Sequence, residues 1–279
     1  MKILLLGKNG QLGKEFVQYF AENDISYTAA GKDECNVLHS NEIEALFANS
    51  KADVVINCTG YVFIDKAEDE GKEMCFALNR DAVDTLTKSA AKHNMKIVHF
   101  STDYVFDGEK KALYTETDIA HPLNVYGQSK YEGEKLAAAY SNSLMLRTSW
   151  LYGRGENNFI RKFLGFAMQK DILPMTYDEI SVPTSTAIVM EGTMQALEND
   201  LSGLYHLTNS GYASRLEFAQ EILNILGMNN KTLDPITMAS WNAPAKRAEF
   251  SAMSNELFCN TLNIEIPHWK ESLKEFLLS

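Results

Sequence analysis

Two tyrosine–lysine pairs at helical spacing are the residues in this sequence best suited to proton transfer. Tyr126 precedes Lys130 by four residues, and Tyr131 precedes Lys135 by the same interval. Four residues make little more than one helical turn, so each pair sets a phenol beside an ammonium on one helix face. A nearby cation lowers the pKa of tyrosine, ordinarily about 10, and lets it exchange protons near neutrality.

Context separates the two pairs, because spacing alone is weak evidence. With 12 tyrosines in the chain, about one such pair is expected by chance. The five-residue offset turns the second pair about 140° around the helix, so both pairs cannot face one site. Small residues, Gly127 and Ser129, follow Tyr126 and let a ligand approach, whereas Tyr131 lies in a polar stretch that predicts exposure. We therefore predict that Tyr126 and Lys130 are catalytic.

Three evenly spaced glycines follow the first apolar run, Ile3–Leu6. They are Gly7, Gly10 and Gly13, and they lead into an amphipathic helical pattern. Gly7 permits a tight turn, Gly10 lets the backbone approach a pyrophosphate, and Gly13 lets the helix pack on the strand. The free N–H groups at the helix N-terminus can bind phosphates. This pattern in this position predicts a dinucleotide site, with a purely structural turn as the alternative.

The end of the second predicted strand bears on the choice of coenzyme. NAD sites carry an acidic residue about 20 residues past the glycines, where it binds the ribose 2′-hydroxyl. The segment Ala29–Lys32 has no carboxylate before Asp33, and Lys32 and Lys8 could neutralise a 2′-phosphate. The alternative is that both lysines are ordinary solvated side chains. We predict that NADP(H) is preferred and that NAD(H) is also accepted.

Hydroxyl and carboxyl groups follow the fourth predicted strand, in the stretch Ser101–Gly108. Ligands of open parallel sheets lie at the carboxyl ends of the strands, so these groups would point toward the coenzyme crevice. A hydroxyl there can donate to a carbonyl oxygen that is gaining negative charge. The same residues are equally consistent with a turn in which Thr102 and Asp103 cap local backbone groups.

Alternating strand and helix patterns must position these residues. Strands are predicted at Ile3–Leu6, Ile25–Ala29, Val54–Asn57, Ile97–Phe100 and Leu144–Leu146, and helices at Asp81–His93 and Tyr126–Tyr140, with a capping box Asp65-x-x-Glu68 opening another. This order predicts an α/β fold with a Rossmann-like doubly wound parallel sheet. The rhythm changes after about Trp150, which predicts a smaller C-terminal substrate-binding lobe. We expect residues 1–152 and roughly 178–204 to form the NADP(H)-binding domain, and roughly 153–177 and 205–279 the lobe.

Composition excludes several classes of protein. The 279 residues are 45% hydrophobic and 23% charged, an ordinary globular mixture. A net charge of −11 disfavours nucleic acid and anionic membranes as partners. The four cysteines are scattered, which argues against a disulfide framework or a zinc site. No apolar run approaches the roughly 18 residues of a membrane span, and we expect a cytoplasmic location.

The motifs together resemble a known family. Gly7-x-x-Gly10-x-x-Gly13, Ser101–Phe106, Pro122–Lys130 and Arg147–Trp150 occur in that order. In this combination they resemble the extended short-chain dehydrogenase/reductase superfamily and, within it, the dTDP-4-dehydrorhamnose reductase branch. The resemblance extends over nearly the whole chain. It implies reduction of the C4 ketone of a dTDP-4-dehydro-L-rhamnose substrate to dTDP-L-rhamnose.

The resemblance also implies roles for individual residues. Tyr126 would donate a proton to the C4 oxygen, Lys130 would hold the nicotinamide ribose, and Thr102 would hydrogen-bond the developing alkoxide. Asp103 and Trp150 would contact the substrate. The implied coenzyme contacts are Gly10, Gln11 and Leu12 at the pyrophosphate, Asn36 and Val37 at the adenine edge, and Gly60, Tyr61, Val62 and Phe100 beside the coenzyme.

Some positions depart from the family pattern. Val62 stands where a threonine is common, and Arg247 is followed by alanine instead of the usual proline. Some members hold magnesium between subunits with glutamates; Glu15 matches one of these, but Ala187 occupies another position. We therefore predict no metal, and either a monomer or a homodimer. The candidate cations for a substrate diphosphate are Arg154, Arg161, Lys162 and Arg247.

Two other functions remain open on the sequence. One is a different sugar-nucleotide reductase or epimerase on the same scaffold. The other is a non-catalytic, coenzyme-binding regulatory subunit. The intact set of Thr102, Tyr126 and Lys130 argues against the second, because a pure binding protein has no need of an acid–base pair.

Overall fold

The computed structural model describes residues 1–155 and 158–279. The strands are β1 (Ile3–Leu6), β2 (Tyr27–Ala30), β3 (Val54–Asn57), β4 (Lys96–Thr102), β5 (Ser143–Thr148), β6 (Leu151–Tyr152), β7 (Ile172–Thr176), β8 (Ile180–Ser181), β9 (Thr184–Ser185), β10 (Gly203–His206), β11 (Ala213–Ser214) and β12 (Thr232–Ile236). The α-helices are α1 (Gln11–Glu22), α2 (Ser40–Ser50), α3 (Lys72–Phe76), α4 (Ala82–Lys92), α5 (Val125–Ala138), α6 (Phe159–Ala167), α7 (Thr186–Glu198), α8 (Arg215–Ile225), α9 (Met238–Trp241), α10 (Glu256–Leu262) and α11 (Trp269–Leu278). A π-helical turn, Ala77–Asp81, joins α3 to α4.

Six parallel strands form the central sheet, in the order β10-β5-β4-β3-β1-β2. The order reverses beside β1, so the carboxyl ends of β1 and β3 and the loops after them border one crevice. The predicted α/β fold with a Rossmann-like, doubly wound parallel sheet is confirmed. The strand predicted at Ile25–Ala29 begins two residues later, at Tyr27.

Both faces of the sheet are buried, which explains the continuous apolar runs of its strands. Ile3 and Leu5 point into one cluster, where they pack with residues of α1 and α7. Leu4 and Leu6 point to the opposite face and pack with residues of α2 and α4. The alternation along β1 therefore fixes the strand between two helical layers, and it fixes the position of the glycine turn that follows it.

A third apolar cluster lies in the second half of the chain. It joins α6, α8 and α11 around Phe163, Phe218 and Trp269, beside the parallel pair β7–β12. The predicted boundary near residue 204 falls inside β10, a strand of the central sheet. The division into a coenzyme domain and a substrate lobe stays a prediction. None of the helices in the described segments is long and apolar enough to cross a bilayer.

Candidate active site

Helix α5 carries both tyrosine–lysine pairs, and its first turn is fixed from two sides. The N-cap residue Asn124 accepts a hydrogen bond from Gly127 N–H (2.8 Å) and donates one to the carbonyl of Lys246 (2.8 Å). The Glu68 carboxylate accepts from the N–H of Val125 (2.8 Å). These contacts satisfy N–H groups that a helix start leaves unpaired, and the Glu68 charge is favourable at the positive end of the helix dipole.

Gly127 lets α5 approach the segment after β4 more closely than any other residue would. A methyl group at this position would overlap the carbonyl oxygen of Tyr104 and lie 3.1 Å from the side chain of Pro122. The neighbouring residue on the helix is Tyr126, whose ring meets the Tyr104 ring edge-on, with 5.5 Å between centroids. The absence of a side chain at residue 127 therefore determines where the Tyr126 phenol lies.

The structure brings Tyr126 and Thr102 together. The side chain of Thr102 lies near the phenol and acts to lower the pKa of Tyr126. Its hydroxyl also accepts from the N–H of Tyr104 (3.3 Å) and donates to Asp103 Oδ1 (3.2 Å). Two hydroxyl groups thus lie at the carboxyl end of β4, and the single hydroxyl proton of Thr102 is directed to Asp103.

The expected lowering of the pKa of Tyr126 is wrong for this structure. Burial of the phenol raises its pKa well above the usual value, because the phenolate loses its hydration, and this outweighs the opposite influence of Thr102. The ammonium of Lys130 is directed to the backbone carbonyl of Phe100, to which it donates. Tyr126 therefore keeps its proton at neutral pH and is suited to act as an acid.

Lys130 is almost completely buried, with 7% of its surface exposed. Burial lowers the pKa of its ammonium to about 8, and Glu134, one turn further along α5, opposes that shift. The carboxylate of Glu134 is itself held by Arg147 on β5, through contacts of 2.9 and 2.6 Å. Lys130 thus remains mostly charged at pH 7, next to the site.

The second pair has a packing role. Tyr131 is half-buried against the cluster of Val105, Phe106, Tyr114 and Met253, so the predicted exposure of this tyrosine is wrong. Lys135 is exposed, with its ammonium 4.7 Å from the centre of the Tyr131 ring. The five-residue offset does direct the two pairs to different surfaces of the helix.

The glycine turn has the shape that a dinucleotide requires. Gly7 has a φ of +82°, and a methyl group there would lie 2.8 Å from the Cys58 backbone carbonyl. A methyl group at Gly13 would overlap the Gly7 carbonyl oxygen, so α1 packs tightly against the turn. Helix α1 starts after Gly10 with no side-chain cap and no acidic residue in its first turn. Its N–H groups thus fit a pyrophosphate, whereas the buried, unpartnered Oε1 of Gln11 is an acceptor and does not bind phosphate oxygens.

Other predicted coenzyme residues contribute in different ways. Leu12 and Phe100 direct their side chains into the core, so only their backbone can face a ligand. The peptide groups of Tyr61 are clamped by the Asn79 side chain, at 2.8 and 3.1 Å. This clamp fixes the loop Gly60–Val62, in which Gly60 and the Val62 side chain are exposed. Asn79 lies on the π-helical turn, a feature common at functional sites, and sequence patterns did not predict it.

The adenine edge contains the predicted cations, but one of them is paired. Lys32 is exposed, whereas the Lys8 ammonium contacts Glu34 Oε1 at 2.5 Å. Asn36 is half-buried and its N–H donates to Glu42 (2.7 Å), while Val37 is buried. Lys32, Asn36 and Val37 follow β2, and Lys8 follows β1; their contact with a coenzyme stays a prediction.

Asp103, for which the resemblance implied contact with the substrate, is buried in this structure. Only 1% of its surface is exposed, and its Oδ2 accepts from Ser181 (2.7 Å) and Ser251 (2.6 Å). The carboxylate instead joins the end of β4 to β8 and to the segment before α10. Its bond from Thr102 orients the hydroxyl that meets Tyr126, so Asp103 is a positioning residue.

Trp150 lines a small cleft that is also bordered by Tyr104, whose ring contacts that of Tyr126. Tyr104, Trp150, Glu179 and Arg247 border that cleft. Trp150 has a φ of +39°, rare for a tryptophan, and the Arg215 guanidinium stacks on its ring at 3.4 Å. Neither Arg215 nor Glu179 was predicted from the sequence, because neither belongs to a motif with recognisable spacing.

One of the four candidate cations borders the cleft. The Arg247 guanidinium makes a bidentate pair with Asp65, at 3.0 and 2.9 Å. Arg161 and Lys162 are exposed on α6, and Arg154 is exposed and donates to Gln18. The charge of Arg247, the candidate cation that borders the cleft, is therefore neutralised by Asp65.

The predicted capping box is wrong. Asp65 makes no cap with its side chain, and the segment Lys66–Glu68 is only a short 3₁₀ turn. The carboxylates of Asp65 and Glu68 instead bind groups that are distant in the sequence, Arg247 and the first N–H of α5.

Glu15, which matches one of the glutamates that hold magnesium in some family members, accepts a hydrogen bond from Thr186 Oγ1 (2.9 Å). Within residues 1–155 and 158–279 no cluster of three ligating side chains could hold a metal ion.

Comparison with known proteins gives a consistent result. A family model described as the RmlD substrate binding domain matches residues 1–279. The chain is 34% identical to the dTDP-4-dehydrorhamnose reductase of Sinorhizobium fredii (strain NBRC 101917 / NGR234), over 99% of this chain and 97% of that protein.

Solved structures agree with this match. A dTDP-4-dehydrorhamnose reductase ortholog from Clostridium acetobutylicum ATCC 824 is 32% identical with a TM-score of 0.95, covering 99% of this chain and 98% of that one. The dTDP-4-dehydrorhamnose reductase of Bacillus anthracis, solved in complex with NADP, is 26% identical with a TM-score of 0.95 and the same coverage.

The close approach at Gly127 predicts a large effect of a single methyl group. Gly127→Ala should destabilise the fold by about 2 kcal/mol, because overpacking against backbone cannot relax as a flexible side chain would. Gly165→Ala is the matched control, since Gly165 lies inside α6 and has no atom within 4 Å of the added methyl group. That variant should be unchanged or more stable by up to about 1 kcal/mol, the difference in helix propensity. Urea unfolding measures both, and equal effects of the two substitutions would contradict the packing argument.

Proposed function

The chain belongs to the RmlD substrate binding domain family and is an oxidoreductase, and from this we propose that it reduces the C4 ketone of dTDP-4-dehydro-L-rhamnose with a nicotinamide coenzyme. The observation that supports the proposal best is the cluster of Tyr126, Thr102 and Lys130 at the carboxyl end of β4. A hydroxyl pair next to a buried ammonium is suited to protonate and hold a ketone oxygen. A binding protein has no use for this arrangement.

The proposed chemistry divides between coenzyme and protein. A bound dihydronicotinamide supplies the hydride. Tyr126, which is protonated at neutral pH, donates its proton to the C4 oxygen. Thr102 has one hydroxyl proton, which it donates to Asp103 in this structure, and that proton would turn to the C4 oxygen as the oxygen becomes negative. Lys130 holds the ribose and adds positive charge to the site.

We assign the coenzyme preference to NADP(H), with NAD(H) as a poorer partner. Lys32 is exposed at the end of β2, where a 2′-phosphate would lie, and Lys8 is in the glycine turn. The Bacillus anthracis relative, solved with NADP, supports the same choice. Calorimetric titration with NADP⁺ and NAD⁺ measures the preference, and equal affinities at physiological salt would refute it.

The substrate side of the cleft fits a sugar nucleotide. Trp150 offers a ring face, stiffened by the stacked Arg215. Arg247 is the cation that a diphosphate could reach, once the phosphates replace or share the Asp65 carboxylate. A panel of dTDP-, UDP- and GDP-ketosugars with NADPH separates this function from that of another sugar-nucleotide enzyme, and the product should have the rhamno configuration.

Replacing each tyrosine by phenylalanine should distinguish the role of Tyr126 from that of Tyr131. Tyr126→Phe should lower kcat roughly 10²–10⁴-fold, the usual contribution of a general acid. Tyr131→Phe should change it less than about twofold, because that ring only packs against its neighbours. NADPH oxidation with the ketosugar measures both rates, and NADPH binding by the Tyr126 variant tests whether the site is intact. A fully active Tyr126→Phe enzyme would remove the proposed acid.

The pH profile of the reduction should report Lys130. Because the pKa of the ammonium is lowered to about 8, kcat/KM should fall as the pH rises through that value and the charge is lost. The phenol of Tyr126 does not account for this limb, since burial raises its pKa far above 8. Lys130→Arg keeps its charge over the whole range and should move the limb to higher pH, at a lower maximal rate. A limb at the same pH in both proteins would assign it to another group.

Substrate affinity should depend on Arg247. Arg247→Met should raise KM for the dTDP-sugar about tenfold with a smaller change in kcat, as expected for one lost charge-assisted contact. Arg161→Met removes the same charge from the exposed surface of α6 and is the control, with KM within about twofold of the wild type. If both variants raise KM equally, only the overall charge matters and Arg247 has no direct role.

A further inference from the structure

The carboxylate of Glu34 lies at the end of β2, although no sequence motif predicted an acidic group there. Glu34 Oε2 accepts from the N–H of Gly31 (2.8 Å), the first residue after the strand, and Oε1 contacts the ammonium of Lys8 (2.5 Å). Glu34 therefore connects the end of β2 to the glycine turn. The sequence predicted cations alone at this edge, because Glu34 lies four residues past β2 and returns to it only in the folded chain.

This carboxylate occupies the place where dinucleotide sites distinguish their coenzymes. In such sites an acidic group about 20 residues past the glycines binds the ribose 2′-hydroxyl, and Glu34 stands 21 positions after Gly13. Gly31 has no side chain to separate Glu34 from the turn: a methyl group there would lie 3.2 Å from Glu34 Oε2 and 2.6 Å from Asn9 Nδ2. The carboxylate thus borders the space beside the glycine turn.

We propose that Glu34 is the residue that limits discrimination between NADP(H) and NAD(H). Its carboxylate accepts a hydrogen bond from a ribose 2′-hydroxyl and repels a 2′-phosphate, and it neutralises Lys8, which would otherwise bind that phosphate. The preference for NADP(H) is consequently smaller than Lys8 and Lys32 alone would produce. This inference rests on the proposed coenzyme-dependent function and specifies a residue that tunes it.

The charges involved support an effect of moderate size. The hydrogen bond from Lys8, with a second from Gly31, keeps the pKa of Glu34 below its usual value, so the carboxylate is charged at neutral pH. The side chains of Lys8 and Glu34 are 29% and 49% exposed, so water and salt screen the pair. The effect should therefore be larger at low salt than at high salt.

The test is equilibrium binding of NADP⁺ and NAD⁺ to the full chain by calorimetry, which does not depend on turnover. Glu34→Gln keeps the shape of the side chain and an acceptor for Gly31, but it removes the charge and releases Lys8. We expect the ratio of the NAD⁺ dissociation constant to the NADP⁺ dissociation constant to rise about tenfold. Lys8→Met leaves the carboxylate without its partner, so the ratio should fall at least about threefold.

The matched control is Asp33→Asn, which removes the same charge from the adjacent, exposed position. The proposal predicts a ratio within about twofold of the wild type for this variant. It is overturned if Glu34→Gln leaves the ratio unchanged, if Asp33→Asn shifts it equally, or if Lys8→Met raises it. Failure of the wild type to bind either coenzyme would instead refute the proposed function, which separates the two conclusions.

Discussion

The candidate site depends on how closely α5 approaches the backbone at the end of β4 and beside it. Gly127 contacts the Tyr104 carbonyl and Gly133 contacts the Asn79 carbonyl so tightly that a methyl group would overlap either oxygen. Lys130, between them on the helix, donates to the Phe100 carbonyl. Residues 127, 130 and 133 are three apart, so one face of α5 meets three carbonyl groups. Tyr126 precedes Gly127 on the helix, and its ring packs edge-on against the ring of Tyr104.

The sequence predicted correctly those features that depend on a few neighbouring residues. The apolar runs of the sheet strands, the glycine turn and the helical tyrosine–lysine spacing each depend on a few consecutive residues, and they are present as expected. The errors concern side chains whose partners are distant in the chain. Asp65 and Glu68 match a capping box, but their partners are Arg247 and Val125, 182 and 57 residues away. Motif spacing carries no information about such contacts.

Burial by residues distant in the sequence explains two further differences, which concern Asp103 and the pKa of Tyr126. The resemblance implied that Asp103 touches the substrate, yet its two serine donors lie 78 and 148 residues along the chain and enclose it. Spacing on a helix predicted that Lys130 would acidify Tyr126, but desolvation of the phenol dominates, and it depends on every neighbour that excludes water. The phenol is protonated at neutral pH with or without this shift, so it can give up a proton in reduction, but the raised pKa makes it a weaker acid.

The buried pair of Glu134 and Arg147 connects this chemistry to the sheet. Both side chains are at most 6% exposed, and such pairs seldom add net stability, because desolvation cancels most of their attraction. Their value lies in geometry and charge. Arg147 extends from β5 to α5 and fixes the helix one turn beyond Lys130, while the Glu134 carboxylate supports the buried ammonium that burial alone would neutralise. Replacing the pair by apolar residues of equal volume could preserve the fold, but it would remove the carboxylate that keeps Lys130 charged. The charge of Lys130 is therefore supported by a buried carboxylate, and that carboxylate is held by the arginine of the adjacent strand.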